Sequence, residues 1–176
     1  MTRNHFELFD LAPAYSLDIA RLENSYKELQ TLIHPDRYAQ AADAERRASM
    51  QWTTRVNEAY STLKDPVQRA KHILELHGVD VGFETNTQMP TDFLLQQLET
   101  REQLAEALQK KNSAFLDSLR NDLSEKRKNL ETLIGESIDT KKDYAGATEL
   151  VRKLMFLQKI DDEIDAAYAA IEEVLR

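Results

Sequence analysis

The sequence predicts an all-α protein in two parts, a compact helical unit followed by a three-helix bundle. Three observations carry this. Only four glycines and four prolines occur in 176 residues, too few for an all-β chain, which needs turn residues about every 8 to 12 positions. Apolar residues recur at steps of three and four, the period of one buried helix face. The hydrophobic share, 41%, suffices for one sizeable core or two small ones.

The elements follow in order along the chain. Phe6, Leu8 and Phe9 predict a short helix ahead of a turn around Ala12 and Pro13. From 18 to 33, Ile19, Leu22, Tyr26, Leu29 and Ile33 step along one helix face, and His34-Pro35 stops it, because a residue before proline is pushed out of the α region. A second helix, from about 41 to 63, carries Ala48, Trp52, Val56, Ala59, Tyr60 and Leu63 at helical spacing. Asp65-Pro66 ends it and starts the next, with Asp65 as N-cap and Pro66 in the first turn, and Gly78 closes that short helix. Residues 79–90 show no period and read as a linker between a first unit, 1–78, and a second, 91–176. Three long patterns fill the second. They run from about 92 to 110, from about 114 to 134 with Phe115, Leu116, Leu119, Leu123, Leu130, Leu133 and Ile134, and from about 141 with Ala147, Leu150, Leu154, Leu157, Ile160, Ile164, Tyr168, Ile171 and Leu175. Three antiparallel helices can bury these faces against one another.

Composition excludes several kinds of chemistry. Cysteine is absent, which removes disulfides, thiolate zinc sites, cysteine-held iron–sulfur clusters and a thiol nucleophile. The four histidines, His5, His34, His72 and His77, offer no pair at the helical spacing of four, so no metal site and no cofactor is expected. The amino terminus has no basic start before an apolar run, and no long apolar stretch occurs, so a cytoplasmic protein without signal peptide or membrane contact is expected. The net charge is −8, divided as −1 over residues 1–78 and −7 over the rest. An acidic chain without a basic block is not expected to bind nucleic acid, since neutralised phosphates supply most of that affinity.

His34, Pro35 and Asp36 occupy the loop between two antiparallel helices. No hydroxyl nucleophile with an orienting partner can be placed beside His34, so the motif does not read as an enzyme's catalytic site. The run FELFDLAPAY, then LIHPDRY, then VNEAYSTLKDPVQRAKHIL resembles a J-domain, the module that stimulates ATP hydrolysis by seventy-kilodalton heat-shock chaperones. The resemblance spans nearly all of residues 4 to 78, with HPD at 34–36, NEAYSTL at 57–63 and DPVQRA at 65–70. It implies that His34, Pro35 and Asp36 contact a chaperone ATPase, with Arg21, Lys27 and Arg37 as basic neighbours. The proline would fix the loop, and the carboxylate could form a charge-assisted pair with a partner arginine. One departure from the family is that Arg21 and Lys27 are interleaved with Glu23 and Glu28, where a strongly basic helix is usual. Electrostatic attraction should then rest on few residues, which suits a dedicated partner.

The remainder, TDFLLQQLETREQLAEAL and VRKLMFLQKID, resembles the carboxy-terminal domain of the HscB family, and the missing cysteine zinc module suggests its bacterial type. That resemblance implies an L-shaped co-chaperone that delivers an iron–sulfur cluster scaffold protein to a specialised DnaK/HscA-type chaperone and stimulates its ATPase. Helical spacing puts Leu95, Glu99, Glu102 and Glu106 on one face with Leu94 and Leu98 beside it, while Phe156 falls off the apolar register of the last helix. Spacing alone leaves open whether the leucines are core or contact, and whether the carboxylates are merely solvated. The resemblance implies that Leu94, Leu95, Leu98, Glu99, Glu102, Glu106 and Phe156 hold the scaffold. A monomer is expected. The rival readings are a coiled-coil assembly protein that oligomerises through residues 139–176 and a general J-domain co-chaperone with other clients.

Overall fold

The computed structural model describes residues 4–38, 40–81 and 89–174 and separates into two compact units, Met1–Gly78 and Val79–Arg176. Among the described residues all regular structure is helical. Positions 82–88, most of the expected linker, lie outside the described residues, as does Leu175. Val81 is buried in the second unit, where its carbonyl accepts from Arg152 Nε at 2.8 Å.

The first unit contains α1 (His5–Leu8), α2 (Ile19–Ile33), α3 (Asp43–Lys64) and α4 (Pro66–Leu76). Each start has a chemical cause. Asn4 and Glu7 form a reciprocal capping box on α1, and the Asp18 carboxylate accepts from the Arg21 amide at 3.1 Å. The Asp65 carboxylate accepts from the Gln68 amide at 2.7 Å, and Pro66 occupies the first turn of α4. Gly78 follows α4 at φ +71°, the left-handed conformation that glycine adopts without a Cβ penalty. Phe6, Leu22, Val56, Leu63, Ile73 and Leu74 fill the core. On its border the α2/α3 hairpin is stapled by Tyr26, which stacks on Tyr60 at 3.9 Å and donates to Asn57 Oδ1 at 3.0 Å.

Two sequence expectations fail near the tip of this hairpin. Ala48 and Trp52 are exposed, and Ser49 takes the inward position instead. The cause is chemical: the end of α2 presents carbonyls rather than apolar surface at that level, so the facing position of α3 is filled by a hydroxyl.

The second unit contains α5 (Thr91–Gln109), α6 (Ser113–Gly135) and α7 (Tyr144–Val174). Its core joins Leu104 and Ala107 to Leu116, Leu119 and Leu123 and to Leu157, Ile160 and Ile164. Phe115 and Leu133, expected inward, are exposed, and Val151 rather than Leu150 is fully buried. In each case the residue next in sequence, about 100° around the helix, takes the inner place. The last helix starts later than expected. A wide turn over Glu136–Lys141 and left-handed Lys142, φ +56°, interrupt the chain, and Asp143 then caps α7 by accepting from the Gly146 amide at 2.8 Å.

Candidate functional site

The loop at the tip of the α2/α3 hairpin is built by the way α2 ends. An interior helix carbonyl is satisfied by the amide four residues on, and the last turn lacks such partners. Here the reasons are individual. The partner for Thr31 would be Pro35, which has no N–H. The Asp36 amide donates instead to His34 Nδ1 at 3.2 Å, and the Arg37 amide to the His34 carbonyl at 3.0 Å. Thr31, Leu32 and Ile33 therefore need other donors. Arg37 Nη1 reaches the Thr31 carbonyl at 2.9 Å, Tyr38 Oη the Leu32 carbonyl at 3.3 Å, and Ser49 Oγ the Ile33 carbonyl at 2.6 Å, with Thr53 Oγ1 at 3.4 Å beside it.

Pro35 opens a short tight helical turn, Pro35–Tyr38, held in this frame. His34 and Asp36 are left outward, with side chains 57% and 90% exposed and His34 Nδ1 3.6 Å from Asp36 Oδ2. The loop thus offers a carboxylate and an imidazole edge on a backbone whose hydrogen bonds are already made.

The basic residues divide by role. Arg37 spends one guanidinium nitrogen on α2, and Arg21 Nη2 donates to the Asp10 carbonyl at 3.2 Å, while Lys27 is exposed on the outer side of α2. Of the two opposing acids, Glu23 is drawn aside to Lys64 on α3 at 3.3 Å, and Glu28 is exposed.

The second surface lies on α5. Phe93, Gln97, Thr100, Leu104 and Ala107, at steps of 4, 3, 4 and 3, turn inward. Leu94, Leu95 and Leu98 turn out, 44%, 53% and 55% exposed, together with Glu99, Glu102 and Glu106. Core packing is thereby excluded as the reason for these leucines. Glu106 pairs with Lys110 one turn on, which holds its carboxyl below the usual carboxylate range. Phe156 of α7 is half-buried, its ring meeting the edge of Phe93 at 5.7 Å and 69°, so it lies beside the start of α5. Arg101 ties the two helices below this point, with Nε and Nη2 on the Glu163 carboxylate at 3.2 and 3.3 Å.

Among the described residues no group of three or more His, Asp or Glu side chains is placed to hold a metal ion. Two histidines do meet: His5 stacks on His72 with ring centroids 4.2 Å apart. Burial, and then the neighbouring His5, push His72 down to about 4, and burial followed by Arg55 lowers His5. The pair is structural, since face-to-face rings cannot aim two lone pairs at one ion.

Comparison with known proteins shows the family and the fold. Residues 89–165 match the family model of the HSCB C-terminal oligomerisation domain. A co-chaperone protein HscB homologue of Burkholderia thailandensis is 45% identical over 96% of both chains. The chain belongs to the HscB co-chaperone family. Among solved structures, chaperone HscB from Vibrio cholerae aligns with TM-score 0.84 at 28% identity, covering 96% of this chain and 99% of that one. Human co-chaperone protein HscB aligns with TM-score 0.88 at 30% identity, covering 94% and 82%. Membership in the HscB family accounts for the all-α architecture of a J-domain joined to a three-helix domain. No described helix is long and apolar enough to cross a membrane.

Sequence reasoning missed Ser49, Tyr38 and the His5–His72 stack. The first had a signal, a hydroxyl residue directly beside an expected core position; the others depend on contacts across the fold.

Proposed function

We propose that this protein is a cytoplasmic co-chaperone without catalytic activity of its own, working as a monomer in iron–sulfur protein maturation. It binds an iron–sulfur cluster scaffold protein through Leu94, Leu95, Leu98, Glu99, Glu102, Glu106 and Phe156. It stimulates the ATPase of a DnaK/HscA-type chaperone through His34, Pro35 and Asp36, with Arg21, Lys27 and Arg37 supporting the approach. The first 78 residues form the J-domain, and residues from 91 onward the scaffold-binding domain.

The observation that carries this reading is the loop's combination of satisfied backbone and exposed side chains. The Asp36 carboxylate is 90% exposed on a turn whose amides and preceding carbonyls are already paired, so it can engage a partner arginine with little ordering cost. On α5, half-exposed leucines would supply a desolvated contact, and the acidic residues would orient a basic partner surface. The coiled-coil alternative is disfavoured because Leu154, Leu157, Ile160 and Ile164, which it would need at the seam, are buried within the unit. Sedimentation tests the monomer.

The deciding experiment measures ATP turnover by the chaperone with this protein and the scaffold present. Asp36→Asn should abolish stimulation while scaffold affinity, measured by calorimetry, stays at the unmutated value. Full stimulation by Asp36→Asn would refute the proposed use of the loop.

A further inference from the structure

The buried serine on α3 has no place in the contact just proposed, since it is only 5% exposed and its hydroxyl is spent on a backbone carbonyl. It is nevertheless the nearer of the two donors that a separate helix sends to the end of α2, Thr53 being the other: Arg37 and Tyr38 belong to the loop itself, whereas Ser49 lies 16 residues beyond Ile33. Its 2.6 Å bond is the shortest of the three, and the single hydroxyl proton of Thr53 goes chiefly to the Ser49 carbonyl at 2.9 Å, with the Ile33 carbonyl farther off at 3.4 Å. A part-buried carbonyl left with only the long Thr53 contact is poorly satisfied, so the last turn of α2 is best held in this direction while the Ser49 hydroxyl is there. The residue after that carbonyl is His34.

We propose that Ser49 is a positioning residue that fixes the direction in which α2 ends, and so the population of loop conformers in which His34 and Asp36 are ready for the chaperone. This rests on the functional reading above. Removing the bond leaves the contact groups intact and lowers the competent fraction, which weakens apparent affinity without changing what a bound loop does.

The test compares wild type, Ser49→Ala, Ser49→Thr and Tyr38→Phe, each checked by circular dichroism for full folding at the assay temperature. In Ser49→Ala the ratio of competent to incompetent loop should fall about threefold to tenfold, as expected for one lost hydrogen bond, so the half-saturating concentration for ATPase stimulation should rise by at most that factor, with the maximal rate unchanged. Amide hydrogen exchange at Asp36 and Arg37 should quicken by a similar factor, while Ile73 and Leu74 in the core of the unit keep their protection. Ser49→Thr should restore both readouts. Tyr38→Phe should give a smaller change of the same kind, and it carries the test in place of Ser49→Ala should that variant not fold. Unchanged exchange at Asp36 and Arg37 in a folded Ser49→Ala protein would overturn the proposal, as would a fall in maximal rate at constant half-saturation. If the wild type fails to stimulate any chaperone, the functional reading falls, and the exchange comparison still decides whether Ser49 holds the loop.

Discussion

Replacing Leu94, Leu95 and Leu98 together by alanine should separate contact from core on α5, because these leucines are about half exposed in the free protein. Fully burying a leucine is worth about 1.5–3 kcal/mol, so covering the exposed half of each yields about 1 kcal/mol. Three such losses give about 3 kcal/mol, roughly a hundredfold in dissociation constant. Folding should change much less, because alanine is the better helix former and the inner stripe of α5, from Phe93 to Ala107, is untouched. The assay is calorimetric titration of the scaffold protein, with circular dichroism as the folding check. Leu108→Ala serves as the control: it is also exposed, at 40%, on the same helix but beyond the acidic stripe, and it should bind as wild type does. A triple variant that stays helical and binds within about twofold of wild type, a difference near the resolution of such titrations, would refute the argument. Equal losses from Leu108→Ala would show that any leucine on this helix matters, and the proposed face would lose its meaning.

The remaining predictions concern the first unit. His72 is held at about 4, below its ordinary 6.5, so protonation favours the unfolded chain. The sign follows: the stabilisation is complete above about pH 6.5 and is lost as pH falls toward 4, amounting to about 1 kcal/mol once solvent screening is allowed for. Glu58 and Glu75 soften the effect at the stacked His5, and Arg55 sharpens it. Thermal melts at pH 7 and pH 5 should therefore differ more for the wild type than for His72→Phe, which keeps a ring against His5, and equal differences would contradict this. Asp65→Ala removes the cap on the Gln68 amide and should cost about 1 kcal/mol, lowering the melting temperature of the first unit by about 4–8 °C. An unshifted melting curve would show that the carboxylate adds nothing to water as a cap.

Where one chemical signal decides an element, the sequence reading and the structure coincide. Asp65-Pro66 places the start of α4 because an N-cap carboxylate and a proline act locally, and His34-Pro35 ends α2 for an equally local reason. Where the outcome depends on what lies opposite, the reading slips. The pattern Ala48, Trp52 and Val56 ranks residues by apolarity, yet the end of α2 offers that level of α3 the Ile33 carbonyl, which α3 meets with the Ser49 hydroxyl. A hydroxyl is worth more there than an indole, so α3 turns Ser49 inward and leaves Trp52 to solvent. The leucines of α5 were ambiguous for a related reason. Leu94, Leu95, Leu98 and Leu104 occupy more of the helix circumference than one core can cover, and spacing alone cannot say which side is surplus. The packing decides by burying Gln97 with Leu104 and leaving the other three outside, although Gln97 Oε1 then has no hydrogen-bond partner. A helix that buries an unpaired amide oxygen while exposing three leucines has an arrangement that folding alone would not favour. The proposed scaffold contact would recover part of that burial, because a partner would cover those leucines.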